Sequence, residues 1–192
     1  MDFHGPVIST TKHGSKYMIS LTDVLSKFVI TKAVRDCTAA TVARFVTDEV
    51  ILKYGTPKCI LTDNGTLFTA SIMTELFKKI GVIHLYSTPY HPMTNGQIER
   101  YNATMDAKIA AWSNEKRTNW DEQLSFVTFN YNTNIHTTTG KIPFEMMYGR
   151  VPILPFDQQE YTAILTQDSQ HINRLKQYLL SLTDEAKSNI LQ

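Results

Sequence analysis

The sequence predicts an α/β protein: a five-stranded mixed sheet, antiparallel meander first and parallel strands after it, flanked by helices. Three observations predict it. The first 35 residues read as strands joined by short turns. Residues 38–86 alternate helical and strand periodicity, which requires parallel pairing through crossover helices. Beyond residue 95 the apolar spacing is mainly helical.

The elements follow in order. Phe3 to Thr10 is apolar and β-branched, and Lys12 to Lys16, around Gly14, is a turn. Tyr17 to Asp23 is the second strand. Phe28 to Val34 is the third, after a turn at Leu25-Ser26-Lys27. Thr38 is placed to cap a helix carrying Val42, Phe45, Val46, Val50, Ile51 and Tyr54, which Gly55 and Pro57 end. Lys58 to Thr62 is a short strand with Asp63 at its C-terminal end. A helix over 70–80 presents Ile72, Leu76, Phe77 and Ile80 and stops at Gly81, and Val82 to Tyr86 is the fifth strand. Ser87 to Gly96 is a polar loop. Helices follow over about 95–115 and 120–134, then a short one from Pro143 to Tyr148 closed by Gly149.

The composition shifts near residue 150, so two regions are expected: 1–150 as the main domain, and 151–192 as an extended segment around Pro152 and Pro155 plus a helix. That helix is amphipathic, with Ile172, Leu175, Leu179, Leu182 and Ala186 three and four apart. Packing on its own domain or its neighbour is the plain reading of the seam, and self-association is the other.

Composition bounds the function. The 192 residues are 42% hydrophobic, enough for a buried core, and Lys plus Arg (19) nearly balances Asp plus Glu (18), a net charge of +1. A protein that clamps a long nucleic-acid stretch by itself is usually more basic, so either the basic surface is local or partner domains supply the rest. Cys37 and Cys59 lack metal-finger spacing and read as buried free thiols of a reducing compartment. No apolar run approaches a membrane span, and no signal peptide is expected.

The chemistry rests on carboxylates. Asp63 stands in Leu61-Thr62-Asp63-Asn64-Gly65, and Glu99 follows Asn95-Gly96-Gln97-Ile98 with residues 64–98, thirty-five of them, between the two acids; Asp2 stands in Met1-Asp2-Phe3-His4-Gly5-Pro6. Each has a bland explanation. Asp63 before Asn-Gly suits an Asx-turn. Glu99 suits a helix dipole or a capping box from Asn95. Asp2 lies where fraying is common. Together, at strand ends and a helix start, three carboxylates can hold two hard divalent cations, the arrangement that serves phosphoryl transfer. The order of elements is that of a ribonuclease H-like fold, in which the first strand, the fourth strand and a late helix bring their acids to one end of the sheet.

Five segments carry a family resemblance over residues 2–150: Asp2 to Pro6; Leu21-Thr22-Asp23-Val24-Leu25-Ser26-Lys27-Phe28; Leu61 to Phe68; Ser87 to Asn102, with its Tyr90-His91-Pro92, Asn95-Gly96-Gln97 and Glu99-Arg100 strings; and Thr139 to Arg150. The chain resembles the catalytic core of a retroviral-type integrase, most of all those of gypsy-like LTR retrotransposons. The resemblance implies Asp2, Asp63 and Glu99 as catalytic, metal-binding acids with two Mg²⁺ (or Mn²⁺) ions. It implies Asn64, His91, Gln97 and Asn102 as lining the active site or contacting DNA, and Asp23 as structural. It implies 3′-end processing of element DNA and strand transfer into target DNA, a homodimer or higher assembly, flanking integrase domains or polyprotein parts supplied elsewhere, and work in the nucleus after a cytoplasmic phase. The family's zinc-binding N-terminal and basic C-terminal domains have no counterpart in this sequence, and Ala103 stands where relatives often carry a polar or cationic side chain.

The leading expectation is therefore a DDE-type polynucleotidyl transferase. A domesticated or truncated core acting as a nucleic-acid-binding or assembly module without strand transfer is the alternative, and a plain ribonuclease H-like nuclease is a third. Among the remaining side chains, Trp112 and Trp120 read as core or interface anchors before base-stacking platforms, and His136 as a helix-end histidine. Met146-Met147 reads as core filler, and Lys12, Lys16, Lys27, Lys32 and Arg35 as a solvated face before a DNA-facing patch.

Overall fold

The computed structural model describes residues 1–7, 9–87, 104–154, 157 and 170–191. Two compact units are present: Met1–Thr22 with Ile30–Thr128, and Asp23–Val29 with Phe129–Gln192.

In the first unit, strand β1 (Asp2–His4) pairs antiparallel with β2 (Tyr17–Thr22), Asp2 opposite Ser20 and His4 opposite Met18, and β3 (Val29–Val34) is the next neighbour of β2. The strand expected to reach Thr10 stops at His4. Gly5 takes φ +130° and Pro6 has no N–H to give to a ladder, so the extended run is broken there. Helix α1 (Ala39–Phe45) is capped by Thr38, whose hydroxyl accepts from Thr41 N at 3.2 Å. It continues through a π-helical stretch (Val46–Ile51) and a last turn (Leu52–Tyr54) to Gly55 at φ +89°. Val42, Phe45, Val46 and Val50 are buried, as their spacing requires.

Strand β4 (Cys59–Thr62) runs parallel to β5 (Ile83–Tyr86), Thr62 opposite Tyr86. A short helix α2 (Thr66–Thr69), which periodicity did not predict, and α3 (Ser71–Lys79) cross between them. Met73 and Phe77 form the buried face of α3, whereas Ile72, expected there, is exposed. Ile19, Val42, Phe45, Val46, Val50, Ile60, Phe68, Met73, Phe77 and Val82 form one core. Cys59, expected to be buried, is exposed, because β4 alternates its side chains and Ile60 and Thr62 take the inner positions. The five strands are described as a three-stranded and a two-stranded sheet rather than one, and the Met1 backbone nitrogen donates to Leu61 O at 2.7 Å, joining the start of β1 to β4.

Helix α4 is described over 104–112, inside the expected 95–115, with Met105 and Ile109 buried. Helix α5 (Trp120–Thr133) follows. Its first turn clamps the 9–15 loop. Trp120 is fully buried and donates to Ser9 O at 3.0 Å, while Asp121 accepts from Thr11 Oγ1 at 2.7 Å and Ser15 Oγ at 3.1 Å.

In the second unit, Asp23 holds the turn after β2, accepting from Leu25 N, Ser26 N and Ser26 Oγ at 2.8–3.0 Å. Asn132 grips Val29 at both backbone groups, accepting from its N–H at 2.9 Å and donating to its carbonyl at 2.8 Å. Helix α6 (Pro143–Tyr148) ends at Gly149 in the left-handed region, φ +66°. Helix α7 (His171–Leu191) buries Leu182 and Ala186, with Leu175 and Leu179 half-buried, while Ile172 of the expected seam is exposed. Its partner is the segment at 139–149: Lys141 pairs with Glu185, Tyr178 donates to Glu145, Asn189 donates to Thr139 O at 2.8 Å, and Gly149 lies under Leu175 and Leu179. The seam therefore packs within its own unit.

Candidate active site

Asp2 sits on β1 and Asp63 immediately after β4. The Met1–Leu61 bond brings these two strand segments together. Both carboxylates act on one nitrogen: burial pushes the Met1 amino group below its usual range, while Asp2 and then Asp63 pull it up. Asp2 is half-buried and Asp63 exposed. Carboxylate oxygens are the donors that hard cations take, and Asp2 and Asp63 stand on the two segments that the Met1–Leu61 bond joins. Among the described residues no group of three or more His, Cys, Asp or Glu side chains gathers as a metal site; the third expected ligand, Glu99, lies outside them, as do His91, Gln97 and Asn102.

The Asp63 corner is held from several sides. Gly65 N donates to Asp63 Oδ1 at 3.0 Å, so the turn geometry that the Asp-Asn-Gly string suggests is realised. Asn64 Nδ2 donates to Ser87 O at 2.7 Å, and Ser87 N donates to Thr62 O at 2.8 Å. Asn64 thus has one amide proton committed to the end of β5. Thr62, 2% exposed, donates its hydroxyl to Asp63 O at 2.9 Å and meets His84 Nε2 at 2.9 Å.

Sequence reasoning missed Thr62, His84 and Ser87, and it missed His4, whose Nε2 meets Asp106 Oδ1 on α4 at 2.8 Å. The signal for His4 and Asp106 was available: His4 follows Asp2 by two, on the same face of a strand, and Asp106 follows Glu99 by seven, a two-turn spacing on the helix expected over 95–115. Of the basic residues near the hairpin, Lys32 pairs with Glu49 at 2.7 Å, Arg35 donates to His13 O at 3.0 Å and Lys27 is buried. These three are engaged within the protein. Trp120 is core, Trp112 is half exposed, and His136 accepts from Thr138 N through Nδ1.

Residues 1–92 match the family model for the integrase core domain. The retrovirus-related Pol polyprotein from transposon 412 of Drosophila melanogaster is 31% identical over 155 residues, 81% of this chain and 12% of that polyprotein. The transposon Tf2-3 polyprotein of Schizosaccharomyces pombe is 28% identical over 172 residues, 88% of this chain and 13% of that one. The chain therefore spans about an eighth of these relatives. In fold it is similar to the catalytic core domain of BIV integrase, with TM-score 0.60 and 23% identity over 77% of this chain and 90% of that one. It is also similar to a chain of the simian T-cell lymphotropic virus intasome in complex with PP2A regulatory subunit B56 gamma, with TM-score 0.62 and 20% identity over 87% and 58%. The chain belongs to the retroviral-type integrase core family. Its relatives among transposons are retrotransposon polyproteins, and its mixed α/β architecture is that of the ribonuclease H-like integrase cores.

Proposed function

We propose that this chain is the catalytic core of a DDE-type polynucleotidyl transferase of the gypsy-like LTR retrotransposon branch, which trims the 3′ ends of element DNA and joins them to target DNA. The core is taken as residues 1–150, with 151–192 as an extended segment and helix. Asp2, Asp63 and Glu99 are the acids that would hold two Mg²⁺ or Mn²⁺ ions, and His91, Gln97 and Asn102 would line the site. Bound there, such ions would supply Lewis-acid stabilisation to the attacking and leaving oxygens. The single observation that carries the reading is the Met1–Leu61 bond, which joins the start of β1, where Asp2 stands, to the end of β4, which Asp63 follows.

The chain's own contribution is preorganisation. Gly65 N fixes one oxygen of Asp63, leaving the other to face a ligand, and Asn64 ties this corner to Ser87, from which the chain leads toward Glu99. DNA is the proposed substrate at both ends of the reaction, and the flanking domains of a polyprotein would supply the phosphate-binding charge that a net +1 lacks. A homodimer is proposed through the long helices, where Trp112 (49% exposed) and Phe126 (60%) are offered to solvent. No helix among the described residues is long and apolar enough to cross a membrane. A nuclear site of action, after a cytoplasmic phase, follows from this function.

The test is a Mn²⁺ titration of the melting temperature, with and without Asp63→Asn. Native-state binding raises Tm by mass action. An unchanged Tm in the unmutated chain, or an equal rise in Asp63→Asn, overturns the metal site. Strand transfer with cognate element ends then separates the enzyme from an assembly module lacking that activity. Sedimentation as a monomer at high concentration would remove the dimer.

A further inference from the structure

We propose that Thr62 and His84 are a positioning pair for Asp63: the Thr62 hydroxyl, oriented by the His84 imidazole, fixes the backbone from which the catalytic carboxylate projects. The inference rests on the metal-site reading above and gives a role to two residues to which the family resemblance gave none.

The geometry is specific. Asp63 stands one residue beyond the last ladder position of β4, so regular strand pairing no longer holds its own carbonyl. Thr62 Oγ1 takes over, donating to Asp63 O at 2.9 Å. A hydroxyl has one proton. With that proton on the Asp63 carbonyl, the Thr62 oxygen must accept from His84, which makes Nε2 the donor in their 2.9 Å contact and fixes the imidazole as the Nε2–H tautomer. Nδ1 is then a bare lone pair, and it is a buried atom with no hydrogen-bond partner among the described residues. The ring is held in place by Phe77, with centroids 4.6 Å apart, and by Tyr86 at 4.3 Å. Burial, then the positive chain terminus, pushes the imidazole below its usual range, in keeping with the neutral form.

The chemistry argues for a purpose. Thr62 is 2% exposed and points to the inner side of β4, where valine would have the same shape without a hydroxyl to satisfy. A polar atom at that place is tolerated because both its neighbours complete it. Among the described residues the arrangement leaves an imidazole nitrogen without a hydrogen-bond partner, a cost to stability that the positioning of Asp63 would offset. What the arrangement secures is the backbone carrying Asp63, whose neighbours are also tied to the end of β5, Thr62 O by Ser87 N at 2.8 Å and Asn64 Nδ2 to Ser87 O at 2.7 Å. A displacement of about 1 Å in a carboxylate is enough to lose much of its contribution to such a site.

The test uses the 192-residue chain and Mn²⁺ as the probe, with affinity read by electron paramagnetic resonance, stability by urea unfolding, and the imidazole tautomer by ¹³C NMR. Thr62→Val and His84→Leu are expected to weaken Mn²⁺ binding at least tenfold. Thr62→Ser, which keeps the hydroxyl, and His84→Gln, whose amide can reach the same oxygen, are expected to stay within about threefold of the unmutated chain. The tautomer is expected to be Nε2–H. Wild-type affinity in Thr62→Val or in His84→Leu overturns the pair's role. So does equal weakening in Thr62→Ser and Thr62→Val, since that tracks packing, and so does an Nδ1–H tautomer. If Thr62→Val does not fold, the comparison of His84→Leu with His84→Gln decides. Asp63→Asn separates the two levels. If it binds Mn²⁺ as the unmutated chain does, or if the unmutated chain binds none, the metal site falls and the pair's role with it. If Asp63→Asn loses binding while Thr62→Val keeps it, the pair's role falls alone.

Discussion

Gly149 and Leu175 divide a space with no room for one more methyl group. A Cβ built on Gly149 collides with Leu175 Cδ1 and also stands 3.4 Å from Leu179 Cδ2, and Gly149 holds φ +66°, where a side chain is strained in any case. Gly149→Ala is expected to destabilise the second unit by about 2–4 kcal/mol, combining left-handed strain with overpacking. Leu175→Ala in the same chain should recover the overpacking share and leave the strain. A double-mutant cycle by urea unfolding measures both, and strict additivity would show that the two residues do not interact.

Asp121 is one of the carboxyls that link stability to acid pH, with Asp36 and Glu49. Burial works to raise its pKa, but hydrogen bonds from Thr11, Ser15 and His13 outweigh this and hold the carboxyl below its ordinary 3.8. For a depressed acid, the folded state binds fewer protons than the unfolded chain as pH falls. The stabilisation is therefore complete above 3.8 and is lost as pH drops below it. Asp121→Asn should flatten that acid limb. Asp121→Ala should cost about 1–3 kcal/mol for each buried hydroxyl it orphans, with Thr11 and Ser15 both affected. Urea midpoints at pH 3 and pH 6 check both expectations.

Asn132 and Val29 form a closed two-bond ring. Asn132→Asp keeps the shape but replaces a donor with an acceptor facing the Val29 carbonyl, at a site 5% exposed. It is expected to destabilise more at pH 7 than at pH 4. Burial raises the new carboxyl's pKa, and its protonated form can still donate. A pH-independent loss would show that packing, not the hydrogen bond, is what Asn132 provides.

Gly65 keeps Asp63 clear. A Cβ there would stand 3.0 Å from Asp63 Oδ1 and 3.5 Å from Oδ2, yet the backbone, at φ −56°, suits alanine without strain. Gly65→Ala is therefore expected to weaken Mn²⁺ binding severalfold while changing the urea midpoint little. Calorimetric titration beside an unfolding curve checks this, and unchanged affinity would show that the Asp63 carboxylate has room to turn aside.

Much of the fold was legible because its signals are local. Thr38 as a cap, Gly55 and Gly149 as stops, and the boundaries of α5 and α6 follow from residues that set their own backbone. Errors arose where tertiary context decides. Periodicity put Ile72 on the inner face of α3, but the core takes Met73, one position round the helix. Strand propensity carried β1 past Gly5 and Pro6, which stop it. Asp2, Asp63 and Glu99 were singled out through their motifs. The bonds that hold Asp63 were not, because Thr62 and His84 are twenty-two residues apart and meet only through parallel pairing of β4 and β5.

The string from Thr139 to Arg150 is among the five that carry the resemblance to integrase cores, and in the structure its side chains and backbone grip a helix. Its informational content concerns architecture. A chain that lacked DNA-joining activity could keep all of those contacts, and with them the string. On the proposed reading, activity depends on other residues, those around Asp63.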